Sequence, residues 1–255
     1  MKKGFTSLLG STALVAGLVG TPPAWAQSAQ LEEIVVTAQK RSENLQRVPV
    51  SIAAFTPSKL EEMQLESASQ LQAAVPGLVY TSSGGFATPF IRGIGTDSAT
   101  VGAEAGVATY VDRVYVSNPL SVNMDLIDIE RIEVVKGPQG TLYGRNAIGG
   151  AINVITREPG QKFEGKLTAG YGNHERLDLA AFASGPISDK LAVGVYVNYL
   201  NRESFLKNLV AVEPAGVPDR RRMISLRGKM VFTPSETVRF VLTGEYQKND
   251  SPDLW

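Results

Sequence analysis

Five segments between residues 161 and 255 alternate apolar and polar side chains with a period of two, which confines this half of the chain to antiparallel sheet. In Leu191–Asn201 the odd positions are Leu191, Val193, Val195, Val197 and Tyr199, against Ala192, Gly194 and Asn198. In Ile224–Phe232, the residues Ile224, Leu226, Met230 and Phe232 oppose Ser225, Arg227 and Lys229. In Val238–Tyr246, the residues Val238, Phe240, Leu242 and Tyr246 oppose Arg239, Thr243 and Glu245. Lys166–Tyr171 and Arg176–Ser184 alternate less cleanly. Strands of about ten residues with one apolar and one polar face suit a membrane barrel, where every backbone group must pair within the protein. A soluble sandwich also alternates, so the connections decide. Gly185–Asp189 and Thr233–Glu236 are short, whereas Arg202–Arg222 is long and polar. Short inner turns and long outer loops are the pattern of outer-membrane barrels. On that reading the first, third and fifth strands run outward. Tyr171, Tyr199 and Tyr246 then stand at their outer ends, all on the apolar face, as an aromatic girdle requires.

The same count predicts an incomplete wall. Five crossings leave two open edges, which lipid does not tolerate, and even small barrels have about eight strands. The chain is therefore expected to be the N-terminal part of a longer protein, with Lys248–Trp255 as loop rather than closing strand.

The first residues read as an export signal. Lys2 and Lys3 precede an apolar run, Leu8–Val19, diluted by Gly10, Ser11, Thr12 and Gly17. Pro22-Pro23 then breaks the helix before Ala24-Trp25-Ala26, a small-x-small cleavage site. The mature chain is expected to start at Gln27. Residues 27–46 are polar except for Glu32-Glu33-Ile34-Val35-Val36-Thr37-Ala38, whose β-branched core favours an extended strand.

Residues 47–160 read as a compact α+β domain. Val50–Phe55 is a predicted strand, Thr56-Pro57 opens a helix with capping-box spacing at Ser58 and Glu61, and Ser67…Gln70 repeats that signal. Short strands are predicted at Leu78–Thr81, Phe90–Ile94, Val107–Val111 and Arg113–Val116, with loops at Ser82–Pro89 and Gly95–Gly106. Ile129–Pro159 follows: a strand around Ile132, Val134 and Val135, glycine-rich turns from Gly137 to Gly150, and a buried strand at Ala151–Thr156.

Enzyme chemistry finds no foothold. The chain has no cysteine, and its one histidine, His174, stands in a predicted outer turn, so no metal cluster forms around it. Gly93-Ile94-Gly95 lacks the third glycine of a dinucleotide fingerprint, and Gly137–Gly144 lacks the Gly-Lys-Ser/Thr of a phosphate loop. No nucleophile–base pair is visible and no cofactor is expected. Zero net charge gives no basic face for nucleic acid.

The run IERIEVVKGPQGTLYGRNAIGGAINVITREP resembles the signature of the plug domain of TonB-dependent outer-membrane receptors. PFIRGIG, VDRVYV, VPVSIAAF and LQAAVPGLVY are similar to other plug segments, with Arg113 where the family often has glycine. EEIVVTA resembles the TonB box, which the resemblance places at Glu32, Glu33, Ile34, Val35, Val36, Thr37 and Ala38. The resemblance implies an α+β plug followed by the first about five strands of a transmembrane β-barrel of about 22 strands. It assigns residues 1–26 to a signal peptide, 27–46 to the segment with the TonB box, 47–160 to the plug and 161–255 to partial barrel. It further implies a receptor in the outer membrane of a Gram-negative bacterium, with outer-membrane lipid around it. TonB and its inner-membrane energising complex would drive uptake of a scarce ligand, by default a ferric siderophore. Arg92 and Arg145 stand where the family pairs plug arginines with acidic residues of the wall, and Phe86 and Tyr115 lie on plug loops that face the ligand. The alternative is a secreted plug-like binding module without transport.

Overall fold

The computed structural model describes residues 35–37, 40–41, 43–83, 86–96, 104–118, 121–122, 124–204 and 220–250, without the side chains of residues 82, 83 and 86. The expected signal peptide, Glu32, Glu33, Ile34, Ala38 and the C-terminal Trp255 lie outside the described residues. No described helix is long and apolar enough to cross a membrane, which says nothing of strands.

The α+β domain contains β1 (Val35–Val36), β2 (Glu43–Asn44), β3 (Ser51–Phe55), α1 (Pro57–Glu62), β4 (Leu78–Ser83) and β5 (Phe86–Ile91). It continues with β6 (Val107–Val111), β7 (Val114–Tyr115), β8 (Ile129–Lys136), α2 (Gly140–Tyr143) and β9 (Gly150–Thr156). Its main sheet has the order β3-β8-β9-β6-β7, antiparallel except for the parallel pair β6–β9. The central strands β8 and β9 are covered on both faces, which is why they read as nearly continuous apolar runs. Ile132, Val134, Ile152 and Val154 face a core closed by Leu60, Leu71 and Val75 and by Ile91 of the β4–β5 hairpin. Glu133 and Val135 point to the opposite face, yet are also buried.

Local details depart from the expected ones for identifiable reasons. Helix α1 opens as expected, with Pro57 at the first helical position, but its cap is Thr56, whose Oγ1 accepts from Lys59 N at 3.4 Å, rather than a box at Ser58 and Glu61. The Ser67 capping box forms as expected, with Gln70 Oε1 accepting from Ser67 N at 3.1 Å, but it opens a 3-10 helix over Ala68–Ala73. The expected loop Ser82–Pro89 and strand Phe90–Ile94 are replaced by the β4–β5 hairpin, where the Thr81 and Thr88 hydroxyls meet at 2.6 Å. That strand stops at Ile91 because Arg92 and Gly93 take positive φ, and Ile94 bridges back to Ile91.

The remaining strands form a meander: β10 (Glu164–Gly172), β11 (Arg176–Ser188), β12 (Leu191–Glu203), β13 (Arg220–Ser235) and β14 (Val238–Asp250). All pairs are antiparallel neighbours, and the edge strands β10 and β14 each pair on one side only among the described residues. The strands are longer than the alternation suggested. The expected turn Gly185–Asp189 is mostly strand, with a bulge at Pro186–Ser188 that takes up the proline. The long connection shortens too, since β12 runs to Glu203 and β13 starts at Arg220.

One face of this wall sheet lies against the α+β domain and the other is exposed and apolar. Leu167 and Tyr171 on β10 are more than four-fifths exposed, and Leu242 and Tyr246 on β14 about three-fifths. Tyr171, Tyr199 and Tyr246 all belong to the outer face. Tyr171 is level with Asn201 through Leu177, and Tyr246 is level with Val197 through Leu226. The tyrosine therefore shifts by one residue per strand crossed. A shift of about 3.4 Å over a strand spacing of about 4.8 Å means that strands tilted by roughly 35°, within the range of barrel strands, would bring the three rings to one height. At the opposite end the Phe232 and Phe240 rings stack at 6.3 Å.

Candidate functional site

Three groups of residues are candidates: one where the α+β domain holds its leading strand, one within the domain, and one where the domain meets the wall. The first is the leading strand. Val35 and Val36 pair antiparallel with Asn44 and Glu43, so the segment is extended as its β-branched residues favour. Val36 is buried, while Val35 is 45% exposed. Thr37 is held by a carboxylate on the sheet face away from the core: Glu133 Oε1 accepts from Thr37 N at 2.7 Å and from Thr37 Oγ1 at 3.2 Å. Arg131 braces the contact, with Nε on the same Oε1 at 2.9 Å and Nη2 on Thr37 Oγ1 at 3.1 Å. Glu133 is fully buried, which Arg131 and the two Thr37 donors make tolerable. Sequence reasoning missed this seat. Its only signal is a glutamate at a position of β8 that the sheet buries.

The second group is the residues expected to meet wall or ligand. Arg92 is held by its backbone, with N donating to Gly77 O at 2.7 Å and Nη2 reaching Ser51 Oγ at 3.4 Å. Arg145 is largely exposed, with Nη1 3.5 Å from Glu104. The partners of both lie in the α+β domain itself. Tyr115 packs its ring against Tyr110 at 5.6 Å and its hydroxyl accepts from Asn146 Nδ2 at 2.8 Å, which makes it part of an internal tyrosine cluster. The Phe86 side chain lies outside the described residues.

The third group joins domain to wall, and sequence reasoning did not assign it. Lys166 meets Glu61 at 2.6 Å, Arg176 meets Glu66 at 2.7 Å, Arg221 meets Asp125 at 3.0 Å, and Arg239 meets Glu158. Lys229 is the most enclosed, only 4% exposed, with Nζ 2.9 Å from Asp112 and also on the Thr156 hydroxyl and carbonyl. Asp112 in turn accepts from Thr156 N at 2.8 Å, so wall strand β13, the β6–β7 turn and the end of β9 share one network. Arg227 donates to the Ile127 carbonyl at 2.9 Å. The alternation indicates that Arg227, Lys229 and Arg239 face inward, but not which groups they find, and Arg221 falls in the expected loop Arg202–Arg222. Two cavities lie in the seam, of about 410 and 300 Å³, and both are lined by Asp125, Ile127, Ile129 and Tyr196.

Asp125 gives this seam a testable pH response. Burial raises its carboxyl pKa, against the opposing pull of Arg221, and nearby Glu66 and Asp178 raise it further. The folded state then binds this proton more tightly than the unfolded chain does. Its contribution to stability grows as the pH falls through the raised pKa and levels off below the unfolded value. Asp125→Asn is expected to flatten that rise just above the ordinary carboxylate range, read as the urea midpoint against pH. An unchanged profile refutes the assignment.

Residues 44–151 match the family model described as TonB-dependent Receptor Plug Domain. An iron-regulated outer membrane virulence protein of Vibrio cholerae serotype O1 is 31% identical over 205 residues, covering 76% of this chain and 31% of that protein. The pesticin receptor of Yersinia pestis is 34% identical over 187 residues, covering 71% of this chain and 27% of the receptor. Among solved structures, the ferric yersiniabactin uptake receptor FyuA of Yersinia pestis superposes with a TM-score of 0.66 at 25% identity, over 78% of this chain and 31% of that one. The chain thus spans about a third of the length of the relatives it matches.

Proposed function

We infer the function from the plug domain of the TonB-dependent receptor family, to which this chain belongs: it is part of an outer-membrane receptor that takes up a scarce ligand actively. The observation that carries this reading is the placement of the plug. It sits against the polar face of a sheet whose other face is continuously apolar and carries three tyrosines that barrel tilt would bring to one height. A sheet of this kind belongs in lipid, with further strands extending the open edges β10 and β14 around the plug. A secreted binding module would leave Leu167, Tyr171, Phe240 and Leu242 facing water, a patch that soluble proteins avoid.

TonB is the partner that this arrangement suits. Val35–Thr37 is already extended, and an extended segment offers its backbone for addition to the edge of a partner sheet. Pulling on it would first lift Thr37 off Glu133 and so load strand β8, the centre of the plug sheet. The ligand proposed is a ferric siderophore, supported by the iron regulation of the Vibrio relative and the ferric yersiniabactin uptake of the Yersinia one. Deleting the gene in its native host is expected to abolish proton-gradient-dependent uptake of a defined iron(III) chelate under iron limitation. Undiminished uptake of every chelate tried, with no iron-responsive expression, would refute the siderophore assignment.

A further inference from the structure

Among the described residues, the five ion pairs between plug and wall have the same polarity: each cation belongs to the wall and each carboxylate to the plug. The bias extends beyond those pairs. On the inward-facing positions of β10–β14 stand seven cations, Lys166, Arg176, Arg202, Arg221, Arg227, Lys229 and Arg239, against three carboxylates, Glu164, Asp178 and Glu245. Strand β13 carries three of the cations on one face, at positions 221, 227 and 229, and so forms a ladder down the wall. Beside this ladder lie the two seam cavities. The seam is also short of partners: Arg221 Nε, Asn198 Oδ1 and Ser225 Oγ are buried without a hydrogen bond among the described residues.

Charge dictates what can enter such a seam cheaply. Separating the plug from this sector removes the carboxylates that balance Arg221 and Lys229, while Arg227 keeps Glu245 of the neighbouring wall strand. An anionic solute entering the gap replaces them as counter-ion, whereas a neutral or cationic solute leaves buried cations without compensation. Building on the receptor reading above, we propose that the ligand leaves the receptor along the seam between the plug and strands β10–β14, and that the Arg221–Arg227–Lys229 ladder selects a ligand of net negative charge.

The test uses the intact receptor in cells, with two iron(III) probes: an anionic tris-catecholate complex and a neutral tris-hydroxamate complex. Surface binding is read with the proton gradient collapsed and uptake with it intact, and cross-linking between the receptor and TonB is scored in parallel. The expected result is energised uptake of the anionic complex and little of the neutral one. Replacing both ladder arginines, Arg221→Gln with Arg227→Gln, should lower the maximal uptake rate about tenfold while surface affinity changes less than about twofold. Arg221→Lys with Arg227→Lys keeps the charge and should retain most of the rate, which separates charge from plug seating. Equal rates for the two complexes, or a Gln variant that transports as well as the Lys one, would overturn the proposal and leave the receptor reading standing. Absence of both energised uptake and TonB cross-linking would overturn the receptor reading, and the proposal with it.

Discussion

Val35→Pro should abolish energised uptake and leave ligand binding nearly intact. Proline has no N–H to donate, and strand addition to a partner sheet depends on main-chain donors and acceptors more than on side chains. Position 35 suits the test because its side chain is about half exposed, so the substitution opens no cavity in the plug. Val36 would not serve, being fully buried. At rest the change touches only the two-residue β1–β2 pair, where the loss of a hydrogen bond is worth about 1 kcal/mol. That loosens the segment and should, if anything, ease its release from Glu133. A transport defect therefore reports on pairing with TonB rather than on access to it. Uptake should drop by about a hundredfold, towards the level in cells without a proton gradient, while the dissociation constant at the cell surface moves less than about twofold. Equal loss of both would mean that residues 35–37 support the ligand site and are not the TonB box.

How much of this was legible depended on whether a residue's role is set by its neighbours in sequence or by a surface brought to it from far away. The strands of the wall and the orientation of their faces follow from a period of two, and Tyr171, Tyr199 and Tyr246 announce one interface through phase alone. Ile132, Val134 and Val135 on β8, and Ile152, Val154 and Ile155 on β9, declare two core strands because β-branched residues at this density favour extended backbone. Lys229 is the opposite case. Its inward direction was readable, but its pairing with Asp112, 117 residues earlier, arises from the docking of two folded units. Glu133 resisted reading as well. A glutamate in a nearly continuous apolar run announces no partner, and Arg131 together with the return of Thr37 across the sheet makes its burial possible. Within the hairpin Leu78–Ile91 the ends read as strand, but Ser82–Pro89 reads as loop because its residues are mostly small and polar, and the pairing there forms through the backbone and the Thr81–Thr88 contact.

Gly150→Ala should strongly destabilise the plug while leaving the wall strands as they are. Gly150 opens β9, where it pairs with both Lys136 and Val107, so it sits at the junction of the two inner ladders of the sheet. Its φ is +148°, and a Cβ there would stand 2.2 Å from the Val135 carbonyl oxygen and 2.9 Å from Cδ1 of Ile91. Neither neighbour can give way. The carbonyl belongs to central strand β8, and Ile91 is fully buried in the core. Backbone strain and overpacking together put the cost at about 3 kcal/mol or more, a large share of the stability of a domain this size. Gly144 is the internal control. Its φ is also positive, +76°, but a Cβ there meets nothing within 4 Å, so Gly144→Ala carries backbone strain without overpacking, at the lower end of about 1–3 kcal/mol. Hydrogen exchange of the intact receptor in detergent separates the two. In Gly150→Ala the amides of Ile132, Val134 and Ile152 should lose about a hundredfold in protection, those of β12 and β13 little, and Gly144→Ala should shift the same plug amides less than about tenfold. Because β8 carries both the carbonyl that Gly150 must pass and the carboxylate that seats Thr37, Gly150→Ala should also free the leading strand without any pull from TonB. If the two alanine variants exchange alike, the close passage of β9 over β8 does not set the stability of the plug, and the link from that passage to the seat of Thr37 fails with it.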